Sequence, residues 1–419
     1  MPRLLTLIAL VLTALFVAAG CGDDDDDGGN GGGGGAADTS ADRPEGRPYK
    51  LGYVTDLSGP LRESYSPTLE GFQLYMQQLN DDGGIDGHPV DVVVRDDSLN
   101  ADTAVSASEE LANQENVSGI FGLSLSSTHE AVYAAMERAQ IPVVSGFSGI
   151  ASALPPAQPF AYSAGTIFEV AGQAAGRFTT QLADEGTFVC VTFESVGGIA
   201  ACDANEAAAR EAGLETERVV FPVETREFTS IGSDIADRDP SVVIGHYGSE
   251  QNVGVIAALR RAGYEGPYVA ANYGVTEDAL RRGMEAGGSQ ENTYMFGRFA
   301  SIDDDEQGVT QLRDAAESFG TDFELSNAHV SGWGLARVAD EALTKCGFPC
   351  SPADLDQALQ DLQVDTQGIT GGPIAFQGRD HYGESFWRMH QFDSGEDAFV
   401  VEGDWIGLPP RAEAGGGGG

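Results

Sequence analysis

Basic residues are scarce in this chain: 23 lysines and arginines stand against 65 aspartates and glutamates, a formal net charge of −42 over 419 residues. Such a surface repels a polyanion, so nucleic acid is excluded as a partner. Histidine is equally thin. The six histidines, at 88, 129, 246, 329, 381 and 390, show no metal-ligand spacing and read as surface or packing residues. Cysteine numbers only five, with no CxxC pair and no histidine doublet, which excludes a zinc site. No Walker pattern occurs, and Gly287-Gly288 reads as a helix stop, so no phosphate cradle is expected. Asp303-Asp304-Asp305-Glu306 lacks the alternating oxygens and the glycine of a calcium loop and reads as a solvated turn. The expectation is therefore a protein without metal or cofactor. Past residue 20 no apolar run approaches the roughly 20 residues of a membrane-spanning helix, so the body is expected to be soluble.

What is present begins at the N-terminus. Arg3 precedes an apolar run from Leu4 to Ala19, and Leu15 to Cys21 reads LFVAAGC. This is the pattern of a secretion signal ending in small residues before a cysteine, and it resembles the bacterial lipobox, in which that cysteine is acylated. Residues 1–20 are read as the leader and Cys21 as the lipid anchor on the outer face of the cell membrane. Losing Arg3 with the leader takes the net charge to −43. Residues 21–48, with five aspartates at Asp23 to Asp27 and glycine runs beyond, contain almost nothing to bury and are expected to form an unfolded tether; 411–419 is read as a disordered tail. Whether the acidity reflects a saline habitat or ordinary acidic bias stays open. The four remaining cysteines suit an oxidising compartment, and the expected pairs are Cys190–Cys202 and Cys346–Cys350.

From Tyr49 the sequence alternates short apolar runs with amphipathic ones. Strands are expected at Lys50 to Val54, Val90 to Val94, Val117 to Phe121 and Ile141 to Ser145. Between them, helices are expected at Thr68 to Asn80, Thr103 to Gln114 and Thr128 to Ala139. After Pro155, Pro156 and Pro159 the alternation resumes, with strands at Thr187 to Phe193, Arg218 to Phe221, Val242 to Gly245 and Tyr268 to Ala271. Helices lie among them, at Asp203 to Ala212 for example. Three further helices, the last at Pro352 to Leu362, lead to strands at Pro373 to Phe376, Ser385 to Phe392 and Ala398 to Val401, read as an antiparallel finish. The fold class is α/β: two doubly wound Rossmann-like lobes, with ligands expected between them at the carboxyl ends of the strands.

LGYVTDLSG at Leu51 to Gly59, EGFQLYMQQLN at Glu70 to Asn80 followed by Gly83-Gly84-Ile85-Asp86-Gly87, VVVRDD at Val92 to Asp97, IFGLSLSST at Ile120 to Thr128 and IPVVS at Ile141 to Ser145 together resemble the leucine/isoleucine/valine-binding protein family. These are type I periplasmic solute receptors of ATP-driven (ABC) importers, and the likeness runs from Tyr49 to about Trp405. It implies two lobes joined by three crossover strands: 49–163 plus 298–371, and 164–297 plus 372–410. It further implies a monomer that closes on a small ligand, an amino acid or related amide or carboxylate, and hands it to a membrane permease. The ligand-binding positions it points to are Ser58, Ser124, Leu125, Ser126, Ser127, Phe147, Ser148, Tyr247, Asn272 and Tyr273. Leu125 stands where the family often shows a serine. Asn272-Tyr273 replaces the Pro-Glu pair that takes an amino acid's ammonium group, so either Glu250 substitutes or the ligand lacks that group.

Two other functions share parts of this pattern. A receptor of the same fold coupled to a membrane kinase differs only in its partner. A surface serine hydrolase would use Ser148 in Gly-Phe-Ser-Gly-Ile, a near miss to GxSxG because Ile150 stands where the last glycine is needed. The reading adopted is a binding protein that performs no chemistry.

Overall fold

The computed structural model describes residues 46–146, 149–153, 157–271, 276–289, 291–377, 380–383 and 386–407. The chain opens with β1 (Tyr49–Thr55), α1 (Arg62–Asp81), β2 (Val90–Asp96), α2 (Ala101–Glu110), β3 (Gly119–Gly122), α3 (Ser126–Ala139), β4 (Val143–Ser145) and β5 (Ala161–Ser163). There follow α4 (Phe168–Thr179), β6 (Thr187–Phe193), α5 (Val196–Glu211), β7 (Glu215–Phe221), α6 (Thr229–Ala236), β8 (Pro240–His246), α7 (Ser249–Arg261), β9 (Tyr268–Ala270), α8 (Glu277–Gly287) and β10 (Thr293–Gly297). The last third carries α9 (Gln307–Phe319), α10 (Asn327–Cys346), α11 (Pro352–Gln360), β11 (Gln363–Val364), β12 (Ile374–Ala375), β13 (Phe386–Asp393) and β14 (Ala398–Gly407).

Two sheets organise these elements. The first is all parallel in the order β2-β1-β3-β4-β5, and the second runs β14-β13-β10-β9-β8-β6-β7 with antiparallel pairing only on the two sides of β13. Each is covered on both faces, and the period-two alternation of a strand shows how. In the first sheet Leu51, Tyr53, Phe121 and Val144 join the core under α1, α9 and α10, while Val54, Ile120 and Val143 join the one under α2 and α3. In the second, Val189, Val191 and Phe193 point to one core, and Phe188 and Cys190 to the other. The chain passes from first sheet to second after β5, returns after β10 to add α9, α10 and α11, and leaves again after β12. Two doubly wound lobes joined by three crossovers result, with the antiparallel finish at the edge of the second.

Several boundaries differ from the expectation for physical reasons. α1 starts six residues before Thr68 and carries Pro67 inside it, giving up one backbone hydrogen bond. α5 starts at Val196, seven residues before Asp203, because Ser195 caps it through Gly198 N–H and because its glycines serve contact: a Cβ on Gly197 would lie 2.3 Å from the Phe168 ring. The expected strand at Pro373 to Phe376 is β12, which pairs with β11 in a separate two-stranded ribbon. α2 runs into one π turn at Leu111–Glu115 and ends on left-handed Asn116. Disulfides join Cys190 to Cys202 inside the second lobe and Cys346 to Cys350 after α10. Among the described residues no helix is long and apolar enough to cross a membrane; Cys21 and residues 411–419 lie outside them.

Candidate functional site

The loops that leave the carboxyl ends of the strands meet where the lobes face each other. In the first lobe three carboxylates tie these loops together. Asp56, at the end of β1, accepts the N–H groups of Gly59 at 2.5 Å and Leu61 at 2.9 Å, which turns the chain into α1. Asp96 accepts from Leu57 N–H at 2.9 Å and from the Ser58 hydroxyl at 2.5 Å. Asp97 accepts from Leu99 N–H at 3.0 Å and from the Ser124 hydroxyl, linking the loops after β2 and β3. An oxygen from each carboxylate lies within 4.8 Å of the others. Their donors come from these same loops, so the cluster acts as a rivet for the site's first-lobe wall.

Burial pushes the Asp97 carboxyl up to about 6, with the Ser124 and Leu99 hydrogen bonds opposing and the nearby charges of Asp56 and Asp96 adding to the rise. Burial raises Asp56 as well. At Asp96 burial works against the charge but is outweighed by the Ser58, Leu57 and Ser98 hydrogen bonds, and the group sits below its ordinary value. Between pH about 4 and 6 the folded chain holds an Asp97 proton that the unfolded chain has lost. Stability therefore falls as pH rises through that window, by about 3 kcal/mol for a two-unit shift, and the Asp97 contribution levels off above it. Asp97→Asn is expected to reduce that slope, so that its Tm gains on the parent from pH 4 to pH 7; a constant difference across a pH series of thermal melts would contradict the assignment.

The wall continues into α3. Leu125 is its N-cap and receives Thr128 N–H on its carbonyl at 2.8 Å. The hydroxyls of the next two residues reach the other lobe: Ser126 Oγ accepts Gly197 N–H at 2.9 Å, and Ser127 Oγ accepts Val196 N–H at 3.4 Å. Both donors are first-turn amides of α5, which a helix leaves without internal partners. A second bridge lies on α1, where Ser64 Oγ accepts Ser249 N–H at the start of α7, at 3.1 Å.

Between these bridges the lobes meet through apolar side chains. Leu61 and Leu125 of the first lobe belong to one buried cluster with Phe193, Phe221, Phe228 and Tyr247 of the second, and Tyr65 and Leu99 pack against it. A Cβ on Gly248 would fall 3.0 Å from Leu61 Cδ2 and 2.8 Å from Ser64 Oγ, so a larger residue there would have to push these side chains of the first lobe aside. Tyr247 is fully buried, its ring 5.5 Å from Phe221 and its hydroxyl 2.7 Å from that of Tyr268, which donates to Asn252 Oδ1 at 2.6 Å. Burial raises the Tyr247 phenol well above its ordinary range, and the site offers it only as a neutral group. Gln251, 1 % exposed, keeps an unpaired Oε1 beside Gly248 at this seam.

Alongside the seam lies a cavity of about 500 Å³ bounded by both lobes: the first turns of α1, α7 and α8, the crossover at Ile302 and Asp303, and the chain from Phe323 into α10. At its base Glu277 Oε1 accepts from Asn327 Nδ2 at 3.0 Å and from Ser301 Oγ at 3.2 Å. Glu250 is engaged at the rim by Arg282 at 2.9 Å.

The structure thus brings Ser124, Leu125, Ser126, Ser127 and Tyr247 to one interlobe seam. Ser58 sits at its exposed edge, bound to Asp96 and 2.9 Å from Ser98 Oγ. Phe147, Ser148, Asn272 and Tyr273 lie outside the described residues. Sequence reasoning did not single out Leu61, Ser64, Gln251, Asp97 or Glu277. For Ser64 the obstacle was Pro67, which placed the helix start after it; for Glu277 it was the absence of any motif around a first-turn acid.

Comparison with known proteins bears on this geometry. A family model described as periplasmic binding protein matches residues 48–397. A Leu/Ile/Val-binding protein homolog 7 from Brucella suis biovar 1 is 30% identical over 99 residues, covering 24% of this chain and 25% of its own length, so the match spans about a quarter of that relative. Among solved structures, a branched chain amino acid ABC transporter protein from Thermus thermophilus with bound valine aligns with TM-score 0.78 at 17% identity, over 89% of this chain and 99% of its own. A fatty acid ABC transporter substrate-binding protein from Thermomonospora curvata gives 0.75 at 22%, over 88% and 94%. A solute binding protein from R. palustris in complex with 4-hydroxybenzoate gives 0.73 at 18%, over 87% and 98%. At these identities the likeness establishes the fold, and the three differ in what they carry.

Proposed function

Because the chain belongs to the periplasmic binding protein family, we propose that it is an extracytoplasmic receptor that captures a small solute between its lobes and delivers it unchanged to the permease of an ABC transporter. The supporting observation is the seam itself. Loops from both lobes converge there, and the first turns of α3 and α5 hydrogen-bond across it through Ser126 and Ser127. A solute touching both walls favours the shut arrangement by its differential contacts, and a hinged pair of lobes turns that preference into a signal a permease can read.

In this reading residues 1–20 are the leader, Cys21 carries lipid, and 21–48 spaces the body from the membrane. The first lobe comprises 49–163 with 298–371, and the second 164–297 with 372–410. Ser58, Ser124 to Ser127, Phe147, Ser148, Tyr247, Asn272 and Tyr273 contribute to solute contact. The proteins of known structure that share this fold and are named above are all solute carriers, in keeping with a protein without catalysis.

Native mass spectrometry on the full chain purified from its own cells tests the reading. A one-to-one mass increment that disappears on denaturation, and a released compound identical before and after incubation with fresh protein, are the expected results. Conversion of that compound into product would end the receptor reading and reopen the hydrolase. Retention of the protein in the membrane fraction is expected for the natural sequence, and its release by Cys21→Ser.

A further inference from the structure

We propose that a second cavity, built by the first lobe alone, binds a small zwitterion with well-separated charges: an ω-amino acid whose carboxylate meets Arg337 and whose ammonium group meets Asp82 and Asp314. The cavity has a volume of about 510 Å³ and is lined only by α1, α9 and α10. It shares no residue with the cavity beside the seam. Tyr75, which lines it, stands eleven residues beyond the seam residue Ser64 on α1, about 16 Å along the helix.

Two polar groups in its wall are incompletely satisfied. Trp333 of α10 is 2 % exposed and lines the cavity, and its indole N–H has no hydrogen-bond partner. Buried donors in folded chains are nearly always paired, so this one marks a place for an acceptor. One turn on, Arg337 is 8 % exposed and lines the same cavity. Its guanidinium donates only to neutral oxygens: Nε and Nη2 to the Asp365 carbonyl at 3.2 and 2.9 Å, and Nη1 to Gln367 Oε1 at 3.2 Å. Two of its five N–H groups stay unengaged, and among the described residues no carboxylate forms an ion pair with it. A buried cation without a counter-charge is costly, and a carboxylate arriving there gains from weak screening by water.

The opposite charge lies at the rim. Asp82 and Asp314 line the cavity from α1 and α9, both are exposed, and among the described residues no cation pairs with either. Asp82 accepts only the Gln78 amide, at 2.8 Å. The two signs are separated along the cavity. Burial and Asp340 raise the Tyr75 phenol and the Arg337 charge opposes them, which places the guanidinium near Tyr75; Asp82 stands two turns further along α1, about 10 Å away. An α-amino acid holds its charges too close together to span that distance. A chain of several methylenes spans it, lying over Leu79 and Ala315, and a purely anionic or purely cationic compound satisfies only one end.

The test titrates the full chain with 6-aminohexanoate, following tryptophan emission and heat, with hexanoate and hexylamine as contrasts. 6-Aminohexanoate is expected to bind and to change the emission, and each contrast to bind more weakly. Trp333→Phe is expected to lose the emission change and to weaken binding roughly 5-fold through its missing N–H. Asp82→Asn combined with Asp314→Asn alters only exposed side chains, and is expected to fold normally and to weaken 6-aminohexanoate roughly 5-fold while leaving hexanoate unchanged. Arg337→Gln is expected to weaken it roughly 30-fold or more; should that variant fail to fold, the rim pair decides alone. No binding of 6-aminohexanoate to the parent, hexanoate binding as tightly, or unchanged affinity in the rim pair overturns the proposal. An emission change that persists in Trp333→Phe places the compound elsewhere and overturns it too, leaving the receptor reading untouched.

Discussion

Gly332→Ala is expected to destabilise the first lobe by about 3 kcal/mol or more, the opposite sign to the usual effect of this change inside a helix. In an exposed helix, alanine for glycine gains about 1 kcal/mol through backbone entropy. Here α10 crosses α1 so closely that a Cβ on Gly332 would lie 1.9 Å from the Thr68 carbonyl oxygen and 2.9 Å from Phe72 N. Gly71 meets α10 in the same way, its Cβ falling 2.2 Å from the His329 carbonyl oxygen. The atoms in the way are backbone, which cannot swing aside as a flexible side chain does, so the helices must separate along their shared length. That separation pulls on Tyr75, packed edge-on to Trp333 at 4.9 Å and donating to Asp340 at 2.7 Å, and on the core beneath. Urea unfolding followed by near-ultraviolet circular dichroism reads the loss; a midpoint within about 0.5 kcal/mol of the parent would mean that the crossing has slack. Since α1 also carries Arg62, Ser64 and Glu70 to the interlobe face, solute affinity is expected to fall in parallel.

That crossing also marks how far the sequence could be read. The alternation of Val92 to Val94 and Ile120 to Phe121 with amphipathic runs reports which faces are buried, and burial on both faces leaves a parallel, doubly wound sheet as the economical solution. The family resemblance, carried by segments such as LGYVTDLSG and VVVRDD, lay along these strands and their loops, so the interlobe loops were legible as well. What stayed hidden was set by contact between distant segments. Gly197 and Gly198 fell ahead of the helix expected from Asp203 because glycine's usual meaning is freedom, while their use here, inside α5, is closeness to Phe168 and Thr192. Asp56, Asp96 and Asp97 look like ordinary acidic loop residues until the sheet places the ends of β1 and β2 side by side. Leu125 stood out in the sequence as a ligand-binding position and Leu61 not at all; only the second lobe's position shows that both cover its aromatic rings. Glu277 is a first-turn acid like many others; its character comes from Asn327 and Ser301, 50 and 24 residues away.

Replacing both Leu61 and Leu125 with aspartate is expected to shift the lobes strongly toward the open arrangement while each keeps its fold. Both leucines are at most 8 % exposed and share a cluster with Phe221 and Tyr247 of the opposite lobe. Fully burying one leucine side chain contributes about 1.5–3 kcal/mol, whereas one neutral hydrogen bond contributes about 1 kcal/mol net. The apolar contact therefore outweighs the Ser64, Ser126 and Ser127 bridges, and Ser126→Ala is expected to act weakly where the leucine pair acts strongly. An aspartate at either place would sit among aromatic rings with no cation in the cluster, a situation that costs about 3–5 kcal/mol when it cannot be relieved. Here it can be relieved without unfolding, since the two loops belong to one lobe and the rings to the other, and opening returns the carboxylates to water. A bias of about 3 kcal/mol moves a two-state equilibrium by more than about 100-fold. Small-angle scattering should show a larger radius of gyration, with far-ultraviolet circular dichroism unchanged and solute affinity reduced by a similar factor. An unaltered scattering curve together with unaltered affinity would show that the lobes are held together by something other than this apolar seam, and would move the closing force to the polar cavity beside it.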